Sequence, residues 1–152
     1  MRKKKDIKVL LVDDEIAFVN TLAQRLRLRN LLVDTVYDGA QALSYIKDIE
    51  PDVIVLDLKM PGLHGIEVLR EIKKIKREIQ VIILTGHGTD KDEEEARKLG
   101  GFDYLNKPAD IDLLTRKIKE AFSEKIERAM TAITFAQAGV FDEAKKIIEK
   151  KE

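Results

Sequence analysis

Val53-Ile54-Val55-Leu56-Asp57-Leu58-Lys59-Met60-Pro61-Gly62 runs four aliphatic residues into a carboxylate and then a Pro-Gly turn. A continuous, β-branched run of this length reads as a strand buried on both faces, as in parallel sheets covered by helices. The same figure recurs along the chain. Val9-Leu10-Leu11-Val12 ends at Asp13-Asp14, and Leu31-Leu32-Val33-Asp34-Thr35-Val36-Tyr37 ends at Asp38-Gly39. Val81-Ile82-Ile83-Leu84 ends at Thr85-Gly86, and Phe102-Asp103-Tyr104-Leu105 ends at Asn106-Lys107-Pro108.

Amphipathic stretches separate these runs. Phe18, Leu22 and Leu26, with Val19, mark a first helix at three- and four-residue spacing. Ala40, Leu43, Ile46 and Lys47 mark a second after a cap at Asp38, and Ile66, Leu69, Ile72 and Ile75, with Val68, mark a third. The fourth, Asp90 to Lys98, has few apolar positions and stops at Leu99-Gly100-Gly101. Ile111, Leu114, Ile118 and Phe122 make the fifth. Five strands alternating with five helices predict an α/β, doubly wound, five-stranded parallel sheet with right-handed crossovers.

Residues beyond about 122 fall outside that alternation. Ile126, Met130, Ile133 and Phe135 continue a helical pattern, Gly139 interrupts it, and Phe141 to Lys150 is helical again. The expectation is a domain over residues 6–122 and a helical tail over 123–152, folded as a helix-turn-helix hairpin. Ala129, Ala132, Ala136, Gly139, Phe141 and Ala144 resemble part of a tetratricopeptide repeat. One such unit cannot bury its own face, so it packs on the domain, on a partner or on a second copy, or the chain is a piece of a longer protein.

Composition excludes several classes. The 152 residues carry 28 basic and 28 acidic side chains, so no basic excess exists for a non-specific grip on nucleic acid. The basic opening Arg2-Lys3-Lys4-Lys5 reads as a solvated tail. Absence of cysteine removes disulfides, thiolate zinc sites and iron–sulfur clusters. No apolar run approaches the roughly 20 residues that span a bilayer, and a cytoplasmic protein without membrane contact is expected.

The polar residues of interest sit at the carboxyl ends of the runs, where open parallel sheets bind ligands. With strand order 2-1-3-4-5 the first and third strands are neighbours, and Asp13, Asp14 and Asp57 meet. Three converging carboxylates repel one another, so cations must offset them. Lys107 supplies one charge, and Mg²⁺, a hard ion that accepts few protein ligands, suits the remainder. A carboxylate beside Mg²⁺, with a lysine and a hydroxyl such as that of Thr85 near it, can accept a phosphoryl group. Taken singly, each residue has an ordinary use: a strand-end Asp as a cap, Thr-Gly and Lys-Pro as turn or loop chemistry. Their joint occurrence in strand order carries the functional reading.

Together, Leu11-Val12-Asp13-Asp14-Glu15, Val55 to Gly62, Leu84-Thr85-Gly86 and Asp103 to Pro108 resemble the receiver domain of bacterial two-component response regulators. The likeness is to the CheY-like, flavodoxin-like fold with a C-terminal helical extension, and Thr85-Gly86-His87-Gly88 resembles the nitrogen-regulation type. The resemblance implies Asp57 as phosphoacceptor, Asp13 and Asp14 as Mg²⁺ ligands together with Asp57 and the backbone carbonyl of Lys59, and Thr85 and Lys107 as readers of the phosphoryl group. It implies Tyr104 as an aromatic switch and Gly86 as a small residue that leaves phosphoryl access open. It also implies a signalling domain catalysing only its own phosphoryl transfer and dephosphorylation, a sensor histidine kinase as donor, and an unidentified downstream protein. Self-association would use the fourth helix–fifth strand–fifth helix face or the tail. The same set also resembles haloacid-dehalogenase-type phosphatases, but that family needs a second aspartate two residues after the nucleophile, where this chain has Lys59. His87 is expected as an exposed loop residue, and no DNA-binding output domain is visible in the tail.

Overall fold

A computed structural model describes residues 6–151, with side chains described through residue 139. The strands are β1 (Lys8–Val12), β2 (Leu32–Val36), β3 (Val53–Leu56), β4 (Gln80–Thr85) and β5 (Asp103–Asn106). The helices between and after them are α1 (Ile16–Arg27), α2 (Gly39–Asp48), α3 (Gly65–Ile75), α4 (Asp90–Lys98) and α5 (Ile111–Lys151). The sheet is fully parallel in the order β2-β1-β3-β4-β5, as expected.

Each sheet face has its own core because β1, β3 and β4 send alternate side chains to opposite sides. Leu10, Ile54, Leu56 and Ile83 meet Ile46 of α2, Leu69 and Ile72 of α3 and Ala96 of α4. Val9, Leu11, Val55 and Ile82 meet Leu22 and Leu26 of α1 and Leu114 and Ile118 of α5. Burial on both sides is why these strands read as unbroken aliphatic runs. Edge strand β2 alternates instead, with Leu32 facing solvent and Val33 buried.

Helix faces differ in detail from the expected stripes. In α2 the buried residues are Gly39, Ala42 and Ile46, while Ala40 and Lys47 are exposed. Gly39 sits so close to Val68 and Leu63 of the neighbouring segment that a Cβ there would clash, so a residue without a side chain sets the phase. Ile75 at the end of α3 is also exposed. Asp38 caps α2 as expected, its carboxylate accepting from the Gln41 N–H at 2.7 Å. Helix α4 buries only Ala96 and ends at Gly100, whose φ is +94°. There Gly supplies a left-handed stop that other residues resist.

The tail departs from expectation. Helix α5 continues through Gly139 to Lys151, so the tight turn and the hairpin are not formed. A single Gly costs a helix only about 1 kcal/mol relative to Ala. Ala136 and Ala138 precede it and no Pro follows. Nor, through Gly139, the last residue whose side chain is described, does the extension lie on the domain. From Ile126 to Gly139 every residue is exposed, including Met130, Ile133 and Phe135. The last firm anchors of α5 lie at the amino edge of the sheet. Gln80 Nε2 donates to the Ala121 carbonyl at 3.0 Å, and Lys125 Nζ pairs with buried Asp52 at 2.9 Å. Among the described residues no helix is long and apolar enough to cross a membrane.

Candidate phosphoacceptor site

Strand register brings the site together. Val12 pairs with Leu56, so Asp13 and Asp57 leave neighbouring strands at the same level. The Asp57 N–H donates to the Val12 carbonyl at 3.0 Å. Thr85 pairs with Asn106, and the Lys107 N–H donates to the Thr85 carbonyl at 3.0 Å. Four strand ends therefore present Asp13, Asp57, Thr85 and Lys107 to one point on the carboxyl edge.

Asp13 and Asp57 are each 4% exposed and Thr85 is fully buried. Lys107 bridges the acids: its Nζ lies 2.7 Å from Asp13 Oδ2 and 3.5 Å from Asp57 Oδ2. Burial raises the Asp13 carboxyl above the ordinary carboxylate range, outweighing the opposing hydrogen bond from Lys107. Burial alone would lower the Lys107 ammonium, but the adjoining Asp13, Asp57 and Glu15 hold it above the usual lysine value. Two buried carboxylates and one half-buried cation leave net negative charge at the site, which burial makes costly.

Asp14 completes the acidic group. Asp13, Asp14 and Asp57 each offer a carboxylate oxygen, and these atoms all lie within 4.8 Å of one another. An all-oxygen donor set with excess negative charge fits Mg²⁺ rather than a softer metal. The Lys59 N–H approaches Asp57 Oδ1 at 3.4 Å, so the loop after β3 folds back over the acceptor. Gly65 makes that fold possible, because a Cβ there would press on the Leu58 backbone and lie 2.5 Å from the Asp57 carbonyl.

Several contributors were not read from the sequence. Glu15 reaches Lys107 Nζ at 3.4 Å, and the Phe18 ring lies 4.6 Å from the same cation. His64 caps α3, its Nδ1 accepting from the Ile66 N–H at 3.2 Å. Nothing in the spacing of Glu15 or Phe18 announces a partner some 90 positions away. Gly88 is the most consequential omission. Tyr104 is turned inward, its hydroxyl buried without a hydrogen-bond partner among the described residues. A Cβ at Gly88 would overlap that hydroxyl and lie 2.8 Å from Thr85 Cγ2. Gly86 is less constrained, since a Cβ there meets the Lys107 side chain at an ordinary 3.7 Å. His87 is exposed, as expected. The Lys107–Pro108 peptide bond is cis.

Comparison with known proteins agrees with this geometry. Residues 9–119 match the model of the response regulator receiver domain. The transcriptional regulatory protein CutR of Streptomyces coelicolor is 34% identical over 148 residues, covering 93% of this chain and 68% of that protein. Sporulation initiation phosphotransferase F of Bacillus subtilis is 34% identical over 113 residues, covering 74% of this chain and 91% of that protein. The crystal structure of a response regulator receiver domain protein from Clostridium thermocellum superposes with a TM-score of 0.75 at 36% identity, covering 78% of this chain and 96% of that one. Such domains are signalling modules and not classical enzymes. With its strand order, its carboxyl-edge acids and its paired lysine, this chain belongs to the response regulator receiver domains of two-component systems.

Proposed function

We propose that this chain accepts a phosphoryl group from a sensor histidine kinase on Asp57 and thereby changes its protein contacts. The carrying observation is Lys107 Nζ held between buried Asp13 and Asp57. Mg²⁺ would be held by Asp13, Asp14, Asp57 and the Lys59 carbonyl, and when bound it supplies charge balance for the transferring group. The Asp57 carboxylate oxygen forms the new O–P bond as the donor N–P bond breaks, and the kinase histidine keeps the electron pair. Lys107 offsets charge on the phosphoryl oxygens. Thr85 Oγ1, which now accepts weakly from the His87 N–H at 3.5 Å, turns to donate to one of them.

Residues 6–122 form the receiver unit on this reading, and residues 123–152 the output tail. A phosphoryl group that draws Thr85 toward Asp57 alters the space around Tyr104, and α4, with one buried residue, is the cheapest element to shift. The α4–β5–α5 face and the tail then serve a downstream protein or a second copy, in the cytoplasm. The nitrogen-regulation likeness rests on Thr85-Gly86-His87-Gly88 alone.

Incubation with Mg²⁺ and a small phosphodonor should add one phosphoryl mass to the intact chain. Asp57→Ala should abolish it, and replacing both Asp13 and Asp14 with Ala should reduce it to background. Persistence of the modification in Asp57→Ala would refute the assignment.

A further inference from the structure

The opposite edge of the sheet carries the reverse charge. A cleft of about 940 Å³ opens there between the carboxyl ends of α3 and α4 and the flank of α5. Helix α3 and its exit contribute Arg70, Lys73, Lys74 and Arg77 to its lining, α4 contributes Arg97 and Lys98, and α5 contributes Arg128. The one acidic residue lining it is Glu124, which pairs with Arg128.

Helix ends explain only a fraction of this. Lys73, Lys74, Arg97 and Lys98 occupy last turns, where cations offset the helix dipole. Two helix ends amount to about one negative charge in total, against seven cations. Carboxylates outside the cleft engage the outer cations: Lys74 with Glu71 at 3.4 Å, Lys98 with Glu94 at 3.1 Å, Arg70 with Glu95 at 3.3 Å, and Arg97 with Asp103 at 3.3 Å and Glu93 at 3.9 Å. These are exposed pairs of the kind that exchange partners readily. At the centre, Lys73 and Arg77 have no carboxylate within ion-pair distance among the described residues. Lys73 Nζ donates instead to the carbonyls of Ile79 at 2.7 Å and Arg77 at 3.3 Å. Burial pushes its ammonium down to about 8, with Arg128 and Arg77 adding to the effect and Glu124 and Glu78 opposing it.

Seven of the chain's 28 basic side chains line this cleft, around a half-buried lysine and with one lining carboxylate, an arrangement that suits an anion. We propose that this cleft binds a small polyanion with clustered phosphates, of the kind presented by inorganic triphosphate or by the triphosphate of a nucleotide. The volume of this open cleft is that of a small-molecule site. Guanidinium groups from Arg77 and Arg128 match phosphate oxygens in pairs. An extended nucleic-acid backbone does not suit the cleft, because Glu67, Glu71 and Glu94, paired with the lining residues Arg70, Lys74 and Lys98, would repel phosphates outside it. Leu99 and Phe102 provide an apolar wall on which a base can rest. The ligand would tie α3, α4 and α5 together, stiffening the element with the fewest buried residues and the one that carries the tail.

The test is titration calorimetry on the full chain at low salt without divalent ions, using inorganic tripolyphosphate, ATP and hexaglutamate. Expected is saturable binding of one tripolyphosphate per chain, with amide shifts confined to residues 73–77, 97–102 and 124–128. Arg77→Ala and Arg128→Ala should each weaken it about tenfold with unchanged circular dichroism. Tighter binding of ATP than of tripolyphosphate identifies a nucleotide as occupant, and equal binding identifies the phosphate chain alone. Absence of saturation below millimolar concentration overturns the proposal. So does hexaglutamate binding as tightly as tripolyphosphate, or affinity indifferent to both arginine substitutions.

Discussion

Lys107 shows how one side chain can be over-determined by its surroundings. Asp13, Asp57 and Glu15 attract its ammonium, the Phe18 ring lies beside it, and its N–H is fastened to β4. Tyr104 is the contrasting case. Its hydroxyl is buried and has no hydrogen-bond partner among the described residues, a condition that costs about 1–3 kcal/mol. Burial and the nearby Asp92, Glu93, Asp90 and Asp57 raise its phenol above the usual tyrosine value. Only the absence of a side chain at Gly88 makes room for it. Gly88→Ala should therefore expel the ring to solvent. Its titration should fall back toward the ordinary tyrosine value, and phosphoryl acceptance at Asp57 should survive. Tyrosine NMR would follow both ring exposure and titration. If the ring stays buried in the variant, the loop and not the tyrosine yields, and Gly88 has no bearing on the rotamer.

Among the elements, α4 is held at its ends more than along its face. Thr89 and Asp92 exchange side-chain hydrogen bonds with each other's backbone N–H groups, both at 3.1 Å, while Ala96 is its one buried residue. Thr89→Ala removes a cap worth about 1 kcal/mol, so amide exchange across residues 90–98 should quicken about fivefold. Strand β3 should be unaffected, and equal acceleration there would mean that α4 does not open independently. The strands were plain in the sequence because helices on both sides leave no polar position to confuse the pattern, as Val53–Leu56 shows. The face of α2 was harder, since its closest approach is made by Gly39 and Ala42, which periodicity of large residues cannot register. At the candidate site, the strand-end residues were legible because topology alone brings them together. Glu15, Phe18 and Gly88 were not, because their roles depend on side-chain direction and on space. Gly139 misled for another reason: a weak local preference against helix was read as a break, and neighbouring helix formers prevail over it.

Across the whole molecule, neutrality conceals two poles. Asp13, Asp14 and Asp57 meet at the carboxyl edge of the sheet, and seven cations line the cleft at the amino edge. Through residue 139 the extension of α5 adds nothing to the apolar cores, since Ile126, Met130, Ile133 and Phe135 are all exposed. Deleting residues 127–152 should therefore shift the melting temperature by less than about 2 °C. The deleted chain should also lose whatever self-association the full chain shows in sedimentation. A larger fall in melting temperature would mean that the extension packs on the domain.

The two fastenings at Ala121 and Lys125 make α5 a lever with its fulcrum at the amino edge. Beyond Lys125 the helix runs on to Lys151, a further length of roughly 40 Å at 1.5 Å per residue. A rotation of only about 5° at the fulcrum would swing the far tip of such an arm through about 3 Å. A displacement too slight to disturb the sheet would thus become, at the tip, the difference between meeting a partner's surface and missing it.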